Sequence, residues 1–230
     1  MRVIISSVTQ TIVAIAKSFV NLVYPLHCAY CKKSLGPMDD APVCGFCRSQ
    51  IRPNPRQYGK EGFHFDSAYA ACLYEGVLKK LIHQYKYRAK SNLAPFLSGL
   101  MADFLNDNDE AISGIDMITF VPLQPGRLKG RGFNQSRELA LNISRPFDIA
   151  FSDTLEKAVS TRHQNELTRS ERLVNVRGAF RLRRGADVAG KRILVIDDVM
   201  TTGATFSEAG RALKEAGAAE VRCLALARGA

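Results

Sequence analysis

The sequence predicts an α/β domain, with a mostly parallel sheet and helices on both of its faces, preceded by a small cysteine-rich module. After residue 60, apolar strand-like runs alternate with segments of helical periodicity, which is typical of βαβ units. Before residue 60, two Cys-x-x-Cys pairs are separated by twelve residues. The 230 residues, 46% of them hydrophobic, suffice for one sizeable core and a small appendage. We expect three parts, residues 1–23, 24–60 and 61–230.

Residues 1–23 are predicted to form an amphipathic helix. Apolar residues recur there at helical spacing, at positions 4, 8, 12, 15, 19 and 23. Polar residues interrupt the segment too often for a membrane span, and no small-residue cleavage site follows it. Packing on the protein is the favoured use of this helix, and binding to a membrane surface is the alternative. We therefore expect a cytoplasmic chain without stable membrane insertion, with peripheral association at the inner membrane face as the alternative.

Four cysteines within residues 24–60 predict a structural zinc ribbon; they are Cys28, Cys31, Cys44 and Cys47. Each Cys-x-x-Cys pair can bind one metal from a single turn, and two pairs complete a tetrahedron around Zn²⁺. Four thiolates leave no open position for catalysis, and disulfides are the weaker alternative in a cytosolic chain. Such a ribbon either contacts nucleic acid or a partner protein, or only folds itself and docks on the main domain.

The segments after residue 60 alternate in type. Four of them are predicted strands: "DSAYAACLY", "DMITFVPL", "RILVIDD" and "AEVRCLALA". Four others are predicted helices: "GVLKKLIHQYKYR", "NLAPFLSGLMADFLN", "NQSRELALNISR" and "TFSEAGRALKEAG". Ligands of such folds bind beyond the carboxyl ends of the parallel strands.

The stretch "ILVIDDVMTTGAT" places two acids at one such strand end. Asp197 and Asp198 would repel a phosphate, but they suit sugar hydroxyls or a divalent ion. The loop that follows leads into a helix, whose first N–H groups and dipole favour a phosphate, and Gly203 permits close backbone approach. Hydroxyls for the same phosphate come from Thr201, Thr202 and Thr205. The stretch therefore predicts a site for a ribose 5-phosphate; it is neither a Walker loop nor a G-x-G-x-x-G turn.

A second anion site is predicted from the distribution of charge. The formal net charge is +10, and residues 121–192 hold fifteen Lys or Arg against seven Asp or Glu. Within "VPLQPGRLKGRGFNQ", prolines and glycines predict a loop, and Arg127, Lys129 and Arg131 are three cations in five residues. Beside a phosphate site, such a loop would hold a second phosphate group and stabilise charge that develops on it. The alternative is an exposed basic loop without a ligand.

Two further segments are candidate contacts. In "STRHQNELTRSERLVNVRGAF", Gln164 and Arg172 are the favoured ligand contacts, while His163 beside Arg162 is more typical of the surface. "HQYKYRAK" interleaves aromatic residues with cations, a pattern that suits single-stranded nucleic acid. Its candidate contacts are Tyr85, Lys86, Tyr87 and Arg88. The alternative is a helix end with half-buried tyrosines and solvated lysines.

The two acids followed by T-T-G-A-T resemble the phosphoribosyl pyrophosphate (PRPP) loop of type I phosphoribosyltransferases. That resemblance implies their fold for residues 61–230. It also implies that Asp197 and Asp198 hold the ribose 2′- and 3′-hydroxyls. The 5′-phosphate would be held by Thr201, Thr202, Gly203, Ala204 and Thr205. Mg²⁺ would accompany PRPP, and Arg131 with the acid pair would serve the displacement of pyrophosphate at C1.

A larger part of the chain resembles one family. The motifs "CAYC…CGFC", "VPL…RLKGRGFNQS", "RHQNELTRSERLVNVRGAF" and "VIDDVMTTGAT" occur in the order found in the ComF family. The resemblance implies a PRPP-binding protein of natural competence, DNA uptake and the handling of incoming single-stranded DNA, with competence-machinery proteins as further partners. Two alternatives stay open: an active phosphoribosyltransferase of nucleotide metabolism or salvage, and a non-enzymatic zinc-ribbon module that binds nucleic acid.

Overall fold

The computed structural model describes residues 26–36, 42–59, 61–87, 91–158 and 178–229. The chain divides into two compact units, residues 1–50 and residues 51–230. The predicted helix of residues 1–23 lies outside the described residues, so the division at residues 23 and 60 stays a prediction. Residues 51–59 belong to the larger unit, where they include an edge strand of its sheet.

A six-stranded sheet forms the centre of the larger unit. The strands described in this unit are β1 (Gln57–Tyr58), β2 (Ser67–Leu73), β3 (Met117–Phe120), β4 (Ala150–Phe151), β5 (Leu155–Lys157), β6 (Phe180–Leu182), β7 (Arg192–Met200) and β8 (Glu220–Arg228). Six of them form one sheet in the order β1-β2-β8-β7-β3-β4, and β5 and β6 form a separate antiparallel pair. Every neighbouring pair in the large sheet is parallel except β1 with β2. The predicted mostly parallel sheet is therefore confirmed.

Helices connect the parallel strands, as the crossovers of a parallel sheet require. The described helices are α1 (Gly45–Ser49) in the smaller unit and, in the larger, α2 (Gly76–Tyr87), α3 (Ala94–Asp107), α4 (Asp109–Ile112), α5 (Pro125–Arg131), α6 (Gln135–Ser144) and α7 (Ala204–Glu215), with a 3₁₀ turn at Ser91–Leu93. The four predicted helices correspond to α2, α3, α6 and α7. None of the helices in the described ranges has the length and apolar character needed to cross a bilayer.

Both faces of the sheet are covered. From α7, Phe206 and Leu213 belong to a buried cluster that includes Val195 of β7. Residues alternate between the two faces along a strand, so Leu194 and Ile196 point away from α7. They are fully buried as well, and α6 contacts β7. This double coverage explains why β7 is a nearly continuous apolar run up to its two acids.

The segment 63–65 supports the first turns of α7. The His64 N–H donates to Ser207 Oγ at 3.1 Å. A Cβ added at Gly210 would lie 2.4 Å from the His64 carbonyl oxygen, so only glycine allows this approach. The ring of Phe63 stacks on Phe65 at 5.0 Å and lies against Gly203, the residue before α7. The start of α7 is therefore fixed by a segment far from it in sequence.

The described part of the smaller unit consists of two short turns and α1. The Lys32 N–H donates to the Cys28 carbonyl at 3.0 Å, which closes the first turn, and Lys32 has a left-handed φ of 67°. His27 and Ser34 form an antiparallel bridge that flanks this turn. Cys44 directly precedes α1, and Cys47 lies within it. Each Cys-x-x-Cys pair is thus presented from a tight local structure, as predicted.

Candidate functional site

The adjacent carboxylates of Asp197 and Asp198 lie near the end of β7 and have different partners. Ser136 Oγ, at the start of α6, donates to Asp197 Oδ1 at 2.7 Å. The Asp198 N–H donates to the same oxygen at 2.8 Å. Lys86 Nζ, near the end of α2, pairs with Asp198 Oδ1 at 2.7 Å. The two acids therefore experience different charge environments.

The protonation of this cluster follows from these partners. Burial and then the Asp198 carboxylate raise the pKa of Asp197 to about 7, although the Ser136 hydrogen bond opposes the shift. Burial alone would lower the pKa of Lys86, but the attraction of Asp198 outweighs it and the net shift is upward. Lys86 therefore stays charged, whereas Asp197 exchanges its proton near neutral pH.

The turn after the acids, which is predicted to hold a phosphate, leads directly into α7. Gly203 has a left-handed φ of 83° and immediately precedes α7. Thr202 Oγ1 accepts a hydrogen bond from the Ala204 N–H at 3.3 Å. Thr205, in the first turn of α7, faces the same cleft as the acid pair, while Thr201 is exposed. The N-terminal end of α7, with its positive dipole, thus lies beside the two carboxylates.

One cleft brings these groups together. Asp197, Asp198 and Thr205 line it on the side of β7 and α7. Four cations line it as well: Lys86, Arg127, Arg131 and Lys157. Its remaining lining residues are Val121, Pro122, Leu123, Gln124, Ser136, Ala179 and Phe180. The arrangement suits a ligand with several negative charges and a hydroxyl-bearing part.

Residues 125–131, which are predicted to form a basic loop, form the helix α5, so the loop prediction is wrong. Pro125 is tolerated because it occupies the first turn, where its missing N–H has no helical partner. Gly132 ends the helix in the left-handed region with φ 79°, as glycine commonly does. Arg127 and Arg131, four residues apart, both line the cleft, whereas Lys129 is exposed and is not among its lining residues. The helical spacing therefore places two of the three predicted cations, Arg127 and Arg131, on the side of α5 that lines the cleft.

Two groups of the cleft were not anticipated from the sequence. Lys157, on β5, lies with its Nζ 5.7 Å from the ring centroid of Phe180 on β6. Burial and the charge of Arg127 lower the pKa of Lys157. Ser136 is the second group, and it follows Asn134, whose side chain caps α6. Ser136 ends the motif "RLKGRGFNQS", which was a signal for it, whereas Lys157 belongs to none of the quoted motifs.

The prediction that residues 85–88 contact nucleic acid is corrected in part, because not all of these side chains are accessible to a ligand. Tyr85 is fully buried, and its hydroxyl donates to the Gln135 carbonyl at 3.1 Å, so it cannot stack on a base. Lys86 faces the cleft and pairs with Asp198. Tyr87 is 64% exposed. Arg88, like Gln164 and Arg172, lies outside the described residues. The helical spacing of Leu78, Leu81, Ile82 and Tyr85 was the signal that indicated a buried Tyr85.

The four cysteines of the smaller unit form a candidate metal site. Their sulfur atoms all lie within 4.8 Å of one another, and the Sγ atoms of Cys31 and Cys44 are 3.7 Å apart. Tetrahedral Zn–S bonds of about 2.3 Å place sulfurs about 3.8 Å apart. The Cys44 N–H points at Cys28 Sγ at 3.4 Å, an interaction that favours a thiolate. The cluster can therefore hold one metal ion.

Comparison with known proteins agrees with this geometry. The phosphoribosyl transferase domain matches residues 131–230, which include the acid pair and the turn. DNA utilization protein YhgH of Escherichia coli (strain K12) is 35% identical over 158 residues, 67% of this chain and 69% of that protein. YhgH of Salmonella typhimurium is 29% identical over 227 residues, 90% and 99% of the two chains. Competence protein ComFC of Streptococcus pneumoniae is 32% identical over 159 residues, 69% and 67% of the two chains.

These relatives confirm both the resemblance and the fold expected from the sequence. The matched domain spans β7, α7 and β8, and the observed parallel sheet with helices agrees with a type I phosphoribosyltransferase fold. The four-cysteine cluster precedes that domain, as the resemblance implies. The chain therefore belongs to the ComF family, with a type I phosphoribosyltransferase domain.

Proposed function

We propose that this chain binds PRPP in the cleft and uses that site in DNA utilization. Asp197 and Asp198 would accept hydrogen bonds from the ribose hydroxyls. The 5′-phosphate would lie at the turn that leads into α7, where Thr205 and the helix N-terminus face the cleft. The single observation that supports this assignment best is that the acid pair and Thr205 line one cavity together with four cations.

The charge balance of the cleft favours a strongly anionic ligand. Lys86 is neutralised by Asp198, but Arg127, Arg131 and Lys157 have no carboxylate partner in the described part of the chain. These three side chains would contact the pyrophosphate group. Mg²⁺ bound together with PRPP beside Asp197 and Asp198 would neutralise part of the ligand's charge. In a transfer at C1, Arg131 would stabilise charge that develops on the leaving pyrophosphate.

The biological role follows from the relatives. Proteins named for DNA utilization and for competence share this fold with the present chain at 28–35% identity. We assign the chain to DNA uptake and the handling of incoming single-stranded DNA, with competence proteins as partners. The role belongs to the cytoplasm, where thiols stay reduced and the four cysteines are available to metal.

The smaller unit is proposed to hold Zn²⁺ in a structural role. Four cysteine sulfurs at tetrahedral spacing fit zinc and leave no position open for a substrate. We retain the predicted helix in residues 1–23, and we place the zinc ribbon in residues 24–50 and the phosphoribosyltransferase domain in residues 51–230, because residues 51–59 belong to the larger unit.

Calorimetric titration with PRPP and Mg²⁺ tests the proposal. The wild-type chain should bind, and the double variant Asp197→Asn with Asp198→Asn should lose at least about tenfold in affinity, because each amide offers one neutral oxygen acceptor in place of a carboxylate. Asp187→Asn is the matched control, since Asp187 is exposed and its recorded side-chain partners in the described residues are Lys191 and the Ala189 N–H. Circular dichroism verifies that each variant is folded. Unchanged affinity in a folded double variant would contradict the assignment.

A further inference from the structure

The hydroxyl of Ser136 holds one oxygen of the Asp197 carboxylate. Its Oγ donates to Asp197 Oδ1 at 2.7 Å, and the Asp198 N–H donates to the same oxygen at 2.8 Å. Ser136 is 3% exposed, so little water competes for this contact. Both donors bind Oδ1, and within the described part of the chain Oδ2 has no donor of its own. Oδ2 is therefore left for a ligand in the cleft that Asp197 lines.

The position of Ser136 does not depend on its hydroxyl. Asn134, the N-cap of α6, accepts hydrogen bonds from the Ser136 N–H at 3.0 Å and the Arg137 N–H at 3.2 Å. The Asn134 amide in turn donates to the carbonyl of Val121, the residue after β3, at 3.2 Å. The start of α6 is therefore fixed to the sheet by Asn134 and by backbone groups. The Ser136 hydroxyl is left to hold Asp197.

The two acids of the cleft are oriented by different means. Asp198 Oδ1 pairs with Lys86 Nζ, which lies at the end of a long side chain, whereas Asp197 Oδ1 is held by a short side chain in the first turn of α6. A carboxylate that two donors hold through one oxygen cannot turn freely about its Cβ–Cγ bond. Its second oxygen then has a defined position before a ligand arrives, which reduces the entropy lost on binding.

We infer that Ser136 is a positioning residue of the PRPP site, whose hydroxyl sets the Asp197 carboxylate in the orientation that accepts a ribose hydroxyl. The inference rests on the proposed function, because it assigns a role within the same cleft. Ser136 acts through Asp197 and needs no contact with the ligand. Its removal should therefore weaken recognition of the sugar. Recognition of the pyrophosphate group by Arg127, Arg131 and Lys157 should stay unchanged.

Calorimetric titration of Ser136→Ala with PRPP and Mg²⁺ tests this role. The variant should bind about tenfold more weakly than wild type, a loss typical of removing a group that orients a binding side chain. Inorganic pyrophosphate, titrated without metal, lacks the sugar and should bind both proteins with affinities within about twofold of each other. Ser144→Ala is the matched control. It makes the same change at the last residue of α6, where the hydroxyl donates to the Leu141 carbonyl at 3.0 Å, and it should keep wild-type affinity.

A double-variant cycle distinguishes positioning from direct contact with the ligand. In the Asp197→Ala background, Ser136→Ala should change PRPP affinity by less than about twofold, because the carboxylate that Ser136 orients is already absent. Equal losses in both backgrounds would overturn the inference. So would wild-type PRPP affinity of Ser136→Ala, or an equal loss for pyrophosphate. Circular dichroism verifies that each variant is folded.

The wild-type titration separates the two proposals. Absence of PRPP binding by the wild-type chain rejects the PRPP assignment itself. PRPP binding that Ser136→Ala leaves unchanged rejects the positioning role alone.

Discussion

The two units of this chain are stabilised by different means. The larger unit has a continuous apolar core in which Phe206 and Leu213 of α7 pack on β7 and β8. In the described part of the smaller unit, five nonpolar residues are buried: Cys28, Ala29, Leu35, Val43 and Cys47. Two of these five are candidate metal ligands. We therefore expect the smaller unit to depend on metal coordination and the larger on apolar burial, so a perturbation of one should leave the other intact.

The largest expected effect is the loss of the metal site in Cys44→Ser. Structural zinc contributes about 10–16 kcal/mol of apparent binding free energy in small zinc modules, and three thiolates would hold the ion far more weakly. We expect loss of bound zinc and proteolytic cleavage within residues 1–50, with an unchanged melting temperature for the larger unit. Metal analysis and limited proteolysis measure both effects. Cys72→Ala, on β2, is the control that should keep its zinc. Full metal retention by Cys44→Ser would show that the ligand set is wrong.

A smaller effect, confined to the larger unit, is expected from Lys86→Met. The change leaves the Asp198 carboxylate, whose side chain is 12% exposed, without its cation. Breaking a buried ion pair in this way should lower the free energy of unfolding by about 3 kcal/mol, measured by urea denaturation. Lys86→Met combined with Asp198→Asn should recover part of that loss, because no charge is then left unpaired. Equal destabilisation by the single and double variants would contradict this account.

Gly210→Ala should destabilise the larger unit by about 2 kcal/mol, because the added methyl group meets a backbone carbonyl that cannot move aside as a side chain would. Gly99→Ala, within α3, is the matched control. Nothing lies within 4 Å of a Cβ at Gly99, so the change should be neutral or stabilising. Thermal denaturation compares the two variants. A Gly210→Ala protein as stable as wild type would show that the segment 63–65 does not constrain α7.

The smallest effect concerns pH. Because the pKa of Asp197 is raised to about 7, the folded state binds more protons than the unfolded state between about pH 4 and pH 7. The free energy of unfolding should therefore decrease as pH rises through this window, and Asp197→Asn should reduce the slope of that decrease by about 1 kcal/mol per pH unit. Urea denaturation at pH 5 and pH 8 measures this change in the free energy of unfolding. Asp187→Asn, the exposed control, should keep the wild-type decrease.

Local patterns account for what the sequence predicted correctly. The strands and helices of the core, the four clustered cysteines, and the presence of acids and a threonine in one cleft all follow from spacings of a few residues. The partners of the acids do not follow from such local spacings, because Lys86 and Ser136 come from helices more than sixty residues away in sequence. Lys157 was missed for the same reason. Only the tertiary fold brings these side chains together in one cleft.

The errors have physical causes of the same kind. Pro125 and Gly132 indicate a loop by residue type, but Pro125 is the first residue of α5 and Gly132 directly follows its last residue, where both are compatible with a helix. Tyr85 was grouped with its charged neighbours, although its spacing from Leu81 and Ile82 places it on the buried face of α2. In both cases the position of the residue in the helix, and not its type, determines the local structure.

The support of α7 by residues 63–65 has a consequence for dissecting the protein. A fragment intended to retain the cleft would have to include these residues, since they hold the turn on which the phosphate would rest. It should also begin upstream of Asn54, whose buried side-chain amide donates to the Ala70 carbonyl at 3.1 Å. Cleavage between residues 50 and 51 preserves both features, so that peptide bond is the place to divide the chain.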